Sequence, residues 1–365
     1  MIEFHSSPNP TIGVEIELQL IDDNTLDLKN ISSKVLADID KKFCNRMKYE
    51  LFESMIEINT DICSTIEEVE GDIKQTLRHL EEVLKNYNAS INCSSLHPFA
   101  RGKNQIISND SRYKRIMNDL QIIGTRFITQ GLHVHIGIDE CEKVIKVNNA
   151  LRIYLPLLLA LSTSSPFYEG EDTGLYSYRT KIFESLPLAG MPDYLNNWDH
   201  FTNITENLIK ANVIRSVKDL WWEVRPHPGF GTVEIRVCDI PVNLIQILAL
   251  VALMQALVVT IQNLDKYPDT HIQILESNKW QAVRYGLEGT FIDPLTLKQL
   301  PIKKAIEDLC NLIEPVMISL GSAKYVRVIE EILIQGTGAS QKRDIFKKSG
   351  KFEYMIKSMK ERFYQ

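Results

Sequence analysis

The sequence predicts an α+β fold in which an antiparallel β-sheet forms a cleft flanked by helices. Three observations carry this. The segments GVEIEL, GLHVHIGI and TVEIRV alternate polar with apolar side chains, the pattern of half-buried antiparallel strands. Ile66, Val69, Ile73, Leu77, Leu80 and Leu84 recur at helical spacing. After the last strand pair the chain reads as mostly helical, and no internal repeat, low-complexity tract or linker divides it.

Taken in order, Thr11 to Ile21 and a β-branched-rich run ending at Asn59 read as strands. Ser64 followed by Glu67 has the form of a capping box, so a helix is expected from there to about Asn86. Ala89 to Leu96 and Ile128 to Ile138 read as strands, separated by a partly helical segment around Ser111 to Gln121. A long apolar helix is expected from Glu142 to Leu161, kinked or divided by Pro156, which lacks a backbone donor. Ser164 to Pro192 is rich in Pro, Gly, Ser and Tyr and reads as a long active-site loop. Leu220 to Arg225 and Thr232 to Cys238 are expected as strands joined by the turn PHPGFG. One domain spanning 1–365 is expected, with its helical carboxy-terminal portion, about 243–365, packing on the sheet.

Bulk chemistry narrows the function. With 44% apolar residues the chain can bury a full core, and 41 basic against 47 acidic residues leave a net charge of -6. No basic field is available for a nucleic-acid backbone. Cys44, Cys63, Cys93, Cys141, Cys238 and Cys310 form no CxxC, so reduced thiols are expected rather than disulfides or a thiolate zinc site. The amino-terminal residues lack the basic and apolar regions of a secretory signal, and a cytoplasmic location is expected. Leu244 to Ile261 is apolar enough to raise the question of a membrane span. Gln246 and Gln255 interrupt it, and a buried core helix is expected instead.

Side chains alternate across a strand, so Glu15 and Glu17 share one face, as do His133 and His135, and Glu234 and Arg236. Any one pair alone is explained by a wetted sheet face. Glu57 adds a further acid, with Glu53 on its side if the strand is unbroken. Together these acids lie among Ile, Val and Leu without local lysines, and several carboxylates in one cleft repel unless a cation compensates. Oxygen donors with one imidazole suit Mg²⁺ or Mn²⁺. Trp221 and Trp222 are read as core packing rather than a stacking platform.

The segments TIGVEIELQLID, IEINT, GLHVHIGI, YSYRTKIFESLP, WWEVRPHPGFGTVEIRVCDIP and NKWQAVRYGLEG, in this order, resemble the bacterial carboxylate–amine ligases of the glutamate–cysteine ligase type 2 family. The resemblance implies a catalytic domain related to that of glutamine synthetase, with ATP and Mg²⁺ in the cleft. It implies metal binding by Glu15, Glu17, Glu57, His133 and Glu234. Glu50 matches an acid that either touches metal or binds the amino substrate. Arg225 and Arg236 are the expected catalytic guanidinium groups, suited to phosphate or carboxylate oxygens. Arg179 is expected to grip a substrate carboxylate, and His135, His227 and Asp239 to lie on the nucleotide side or behind the ligands. No P-loop is present, so nucleotide binding rests on the resemblance. The implied partners are a small-molecule carboxylate and an amine, with a homodimer as a candidate assembly and neither nucleic acid nor membrane.

Two departures stand out. Ile16 replaces the middle acid of the family's first motif, and Lys342 intervenes between Gln341 and Arg343 in GTGASQKR, which puts the role of Arg343 in doubt. Three rival readings are a His133, His135, Glu140 oxygenase site, a metal-dependent phosphatase or hydrolase, and a non-catalytic ATP-binding relative.

Overall fold

The computed structural model describes residues 2–364. In chain order they form β1 (Ile12–Asp22), α1 (Ser32–Ala37), β2 (Met47–Tyr49), β3 (Met55–Asn59), α2 (Ile66–Lys85), β4 (Ala89–Asn92), α3 (Ser111–Leu120), β5 (Leu132–Gly137) and α4 (Cys141–Ser162). The segment that follows carries the small hairpin β6 (Phe167–Tyr168) and β7 (Glu171–Asp172), the short helix α5 (Tyr178–Phe183), and α6 (Trp198–Lys210). Then come β8 (Val224–His227), β9 (Thr232–Ile235), α7 (Leu244–Asn263), α8 (Ile272–Tyr285), a second hairpin β10 (Thr290–Ile292) and β11 (Gln299–Pro301), and the helices α9 (Ile302–Ser319), α10 (Lys324–Gln335), α11 (Gly338–Ser349) and α12 (Phe352–Arg362).

The α+β expectation holds. Seven strands pair antiparallel in the order β2-β3-β1-β5-β9-β8, and β4 joins the far half of β1. One long strand therefore organises the sheet: β1 pairs with β3 on one edge and shares its other edge between β5 and β4. Val14, Ile16, Val134, Ile136, Val233 and Ile235 point to the face away from the carboxylates and are buried. α4 and α7 cover that face, α4 against β8 and β9 and α7 against β5. Both helices are long and apolar enough to cross a membrane, yet 89% and 83% of those windows are buried within the protein, as core helices are.

Several boundaries move for local reasons. The cap of α2 is Thr65, not Ser64. Thr65 has extended backbone and accepts from the Glu68 amide at 3.3 Å, while the Glu68 carboxylate accepts from the Ser64 amide at 2.6 Å. α4 runs through Pro156 without a break. The lost bond costs roughly 3 kcal/mol, and fully burying neighbours such as Leu155, Leu157 and Leu158 offsets it by about 1.5–3 kcal/mol each. β4 and β5 are shorter than expected because Leu96–Thr129 and Gly131–Asp239 pair only as isolated bridges. Pro226 and His227 lie in β8 rather than in the turn, which an edge strand tolerates. The turn itself closes on Gly231, at φ +64°, where a Cβ would stand 1.7 Å from the His5 carbonyl oxygen.

Candidate active site

Strand register builds the site. Glu15 lies opposite His133, Glu17 opposite Glu57, and Glu234 opposite both His135 and Arg225. The residues chosen by alternation on four separate strands thus meet on one sheet face, and they line a cleft of about 300 Å³, within the scale of small-molecule sites.

The acids separate into two clusters. Glu15, His133 and Glu234 form one, and Glu17, Glu50 and Glu57 the other, each with candidate ligand atoms within 4.8 Å of one another. Glu50 reaches the second cluster because the chain turns between β2 and β3. The same turn takes Glu53 away: its carboxylate accepts from the Ser33 amide at 2.8 Å and Ser32 Oγ at 3.1 Å, at the start of α1. Glu57 and Glu53 therefore do not share a face.

The clusters differ electrostatically. In the first, burial works against ionising Glu234, but Arg225 and Arg236 outweigh it and hold the carboxyl well below its usual range. Burial lowers His133 to about 4, reinforced by Arg236, so its imidazole is neutral at pH 7, the form that binds a cation. In the second, burial pushes Glu17 up to about 7 against the pull of Arg179, with Glu57 adding repulsion. Glu50 is raised well above the carboxylate range by burial and by Glu17 and Glu57, and Glu57 is raised by burial and Glu15. The local compensation is partial: Glu17 accepts from the Gly131 amide at 2.6 Å, Glu57 accepts from Asn59 Nδ2 at 2.9 Å, and Lys48 Nζ stands 3.5 Å from Glu57. Three crowded carboxyl groups fit a divalent cation, which relieves their repulsion, and the neutral imidazole with two carboxylates fits a second.

The arginines divide the work. Arg225 donates from Nε and Nη2 to both oxygens of Glu234, at 2.7 and 3.1 Å, and from Nη1 to the carbonyls of Val217, Lys218 and Leu220. Arg236 also holds Glu234, but its buried Nε has no partner among the described residues. Arg179 lines the cleft from α5, donating to the carbonyls of Val237 and Arg236 at 3.3 and 3.4 Å, and its buried Nε too has no partner among the described residues.

His135 Nδ1 lies 3.0 Å from Thr232 Oγ1, and His227 stacks on Phe230 with ring centroids 4.1 Å apart. Both line the cleft beside Glu234. Asp239 lies behind it, fully buried, accepting from the Ser164 amide, Ser165 Oγ and Ser177 Oγ at 2.7–2.8 Å, so it pins the segment from which Arg179 projects. The inserted Lys342 points inward, 2.6 Å from the Ser164 carbonyl, and burial lowers its amine to about 8. Arg343 is away from the cleft, bound through Nη2 and Nε to Asp172 at 2.6 and 2.9 Å. Glu140 is two-thirds exposed beside Lys143, so it does not join His133 and His135.

Sequence reasoning missed two features. Trp221 borders the cleft while Trp222 packs in the core, a split that the adjacent pair conceals. Lys279 from α8 reaches Glu184 and Glu223 at 2.8 Å each, joining three separately placed motifs through a buried ion cluster. Opposite-sign residues in those motifs were the available signal.

A profile of glutamate-cysteine ligase family 2 (GCS2) matches residues 11–361. The chain is 39% identical over 359 residues to a protein of Gloeobacter violaceus provisionally named glutamate–cysteine ligase 2, covering 95% of each chain. A protein of the same provisional name from Solibacter usitatus is 36% identical over 361 residues, 96% of this chain and 93% of that one. Among solved structures, the fold is that of glutamate–cysteine ligase from Francisella tularensis in complex with AMP, at TM-score 0.76 and 14% identity, covering 98% of this chain and 89% of that one. A bifunctional glutathione synthetase from Pasteurella multocida superposes at TM-score 0.71 and 14% identity, over 97% of this chain and 52% of that one. The family match and the two relatives both extend across the sheet and the carboxy-terminal helices, and the chain belongs to glutamate-cysteine ligase family 2.

Proposed function

We propose that this protein is an ATP- and Mg²⁺-dependent carboxylate–amine ligase that forms an amide bond through an acyl phosphate. The observation that carries this is the pair of donor clusters on one sheet face, Glu15, His133, Glu234 and Glu17, Glu50, Glu57. Family membership and the AMP complex of the Francisella protein support nucleotide use.

A carboxylate oxygen of one substrate attacks the γ-phosphorus of ATP, the bond from that phosphorus to the bridging oxygen breaks, and ADP leaves. The amine nitrogen then attacks the acyl carbon, the carbon–oxygen bond to phosphate breaks, and the nitrogen gives up a proton. Divalent cations, when bound, neutralise charge growing on the phosphate oxygens. Arg236, which lines the cleft, meets phosphate or carboxylate oxygen there, and Arg225 holds Glu234 in place as a positioning residue. Arg179 takes a substrate carboxylate, and Glu50 borders the position of the incoming amine.

Glutamate with cysteine is the pair in the relatives' names. Pairs of amino acids are to be screened for ADP formation with mass detection of the amide. Phosphate release that needs no amine and yields no amide would replace the ligase with a hydrolase. Absence of Mg²⁺-ATP binding by calorimetry would leave a non-catalytic relative.

A further inference from the structure

The sheet face changes character along its strands. On β3, Asn59, Glu57 and Met55 share one side, so one step past the second carboxylate cluster the cleft becomes apolar. Met55 belongs to a hydrophobic cluster separate from the main core, which includes Phe127 and Leu186 and against which Ile116, Phe183 and Trp221 pack. All six line the cleft. The Phe127 and Phe183 rings are 6.3 Å apart, and the Arg179 guanidinium lies 5.6 Å from the Phe183 ring. The opposite end, beside Glu15 and Glu234, carries the imidazoles His135 and His227, with the Phe230 ring stacked on His227.

From this we infer that the amine substrate is an α-amino acid with a bulky apolar or aromatic side chain, seated on the wall formed by Phe127, Phe183 and Leu186. The inference rests on the ligase reading of the same cleft. An amino group beside Glu50 and a carboxylate beside the Arg179 guanidinium, both of which line the cleft, leave the side chain facing that wall. A cysteine or serine side chain has one heavy atom beyond Cβ and leaves most of the wall wet, whereas a leucine, methionine or phenylalanine covers it. Each methylene gained in an apolar pocket changes selectivity on the order of tenfold.

Hydroxylamine separates the two readings, because it traps an acyl phosphate as a hydroxamate without using a side-chain pocket. With ATP, Mg²⁺ and a panel of carboxylates, hydroxamate formation reads the ligase chemistry. Using the carboxylate so identified, leucine, methionine and phenylalanine are expected to exceed cysteine and serine at least about tenfold in kcat/KM. Phe183→Ser and Leu186→Ser should remove that preference, bringing leucine and serine within about twofold of each other in kcat/KM. Hydroxamate formation with cysteine or serine preferred overturns the inference and spares the ligase. A raised KM for ATP in Phe183→Ser, with amine selectivity unchanged, gives the wall to the nucleotide and also overturns it. If no hydroxamate forms, the ligase reading fails. Leucine and serine titrations followed by Trp221 fluorescence, with Trp221→Phe as control, then decide the wall alone: tighter leucine binding that is lost in Phe183→Ser upholds it, and equal binding overturns it.

Discussion

Arg225 clasps both carboxylate oxygens of Glu234 across the β8–β9 pair, with Nε 2.7 Å from Oε2 and Nη2 3.1 Å from Oε1. Its remaining nitrogen is occupied by three backbone carbonyls, so this guanidinium is committed to orienting the acid. Arg236 touches the same carboxylate through Nη1, and its buried Nε has no partner among the described residues.

The two arginines should therefore fail differently. Arg225→Met strips a buried carboxylate of its bidentate partner and is expected to cost about 3–5 kcal/mol in urea unfolding along with activity. Arg236→Met leaves the clasp of Arg225 intact and should cost less, about 1.5–3 kcal/mol, while ADP formation falls at least about a hundredfold. Equal losses of stability in the two variants would contradict this division.

Carboxylate crowding predicts a change of sign with metal. Glu17→Gln removes one charge from the second cluster, and should stabilise the protein in chelator by about 1 kcal/mol yet leave it less stable than the parent in excess Mg²⁺. Glu15→Gln and Glu234→Gln should abolish ligase turnover with the fold retained by circular dichroism. Near-normal turnover in either sinks the metal assignment.

His97 offers a pH test outside the cleft. It is fully buried, with Nε2 2.9 Å from the Leu26 carbonyl and Nδ1 accepting from the Ala100 amide at 3.0 Å, which selects the neutral tautomer. Burial lowers its pKa from 6.5 to about 4. Between those values the unfolded chain binds the extra proton, so stability falls as pH drops through this window, by about 3 kcal/mol when complete. His133 and His227 are lowered over the same window, so His97→Gln should reduce the slope there by the share of one proton rather than remove it, and an unchanged slope would assign it to those other groups.

Lys279 is 2% exposed and sits between Glu184 and Glu223, whose charges and hydrogen bonds hold its amine above the usual range despite burial. Lys279→Met should cost about 3–5 kcal/mol, because the buried carboxylate of Glu223 loses its counter-charge, while half-buried Glu184 keeps Lys181. Hydrogen exchange should rise in α5, which carries Arg179. The double variant Lys279→Met with Glu223→Gln should recover part of the loss, and an additive outcome would deny the coupling.

The legible parts of this protein are those set by local covalent geometry. Alternation along a strand placed Glu15 with Glu17 and His133 with His135, helical spacing marked α2, and a continuous apolar run marked α7. The one-residue error at the α2 cap arose because Ser64 and Thr65 are both competent caps with an acid three residues on. Pro156 does not divide α4: its local penalty is visible in the chain, and the packing that offsets it is not.

The division of the acids into two clusters was not legible. It depends on which strands pair, on the turn that sends Glu50 inward and Glu53 to α1, and on an edge strand that brings Arg225 to Glu234. The apolar wall was hidden for a related reason: Phe127, Phe183 and Leu186 look like core residues until the fold leaves one side of them open to the cleft. Periodicity reports which way a side chain points from its own backbone, whereas its neighbours come from pairing between separate segments, as with Glu15 and His133, 118 residues apart. Those contacts exist only once the sheet has closed its register and the helices have covered its other face.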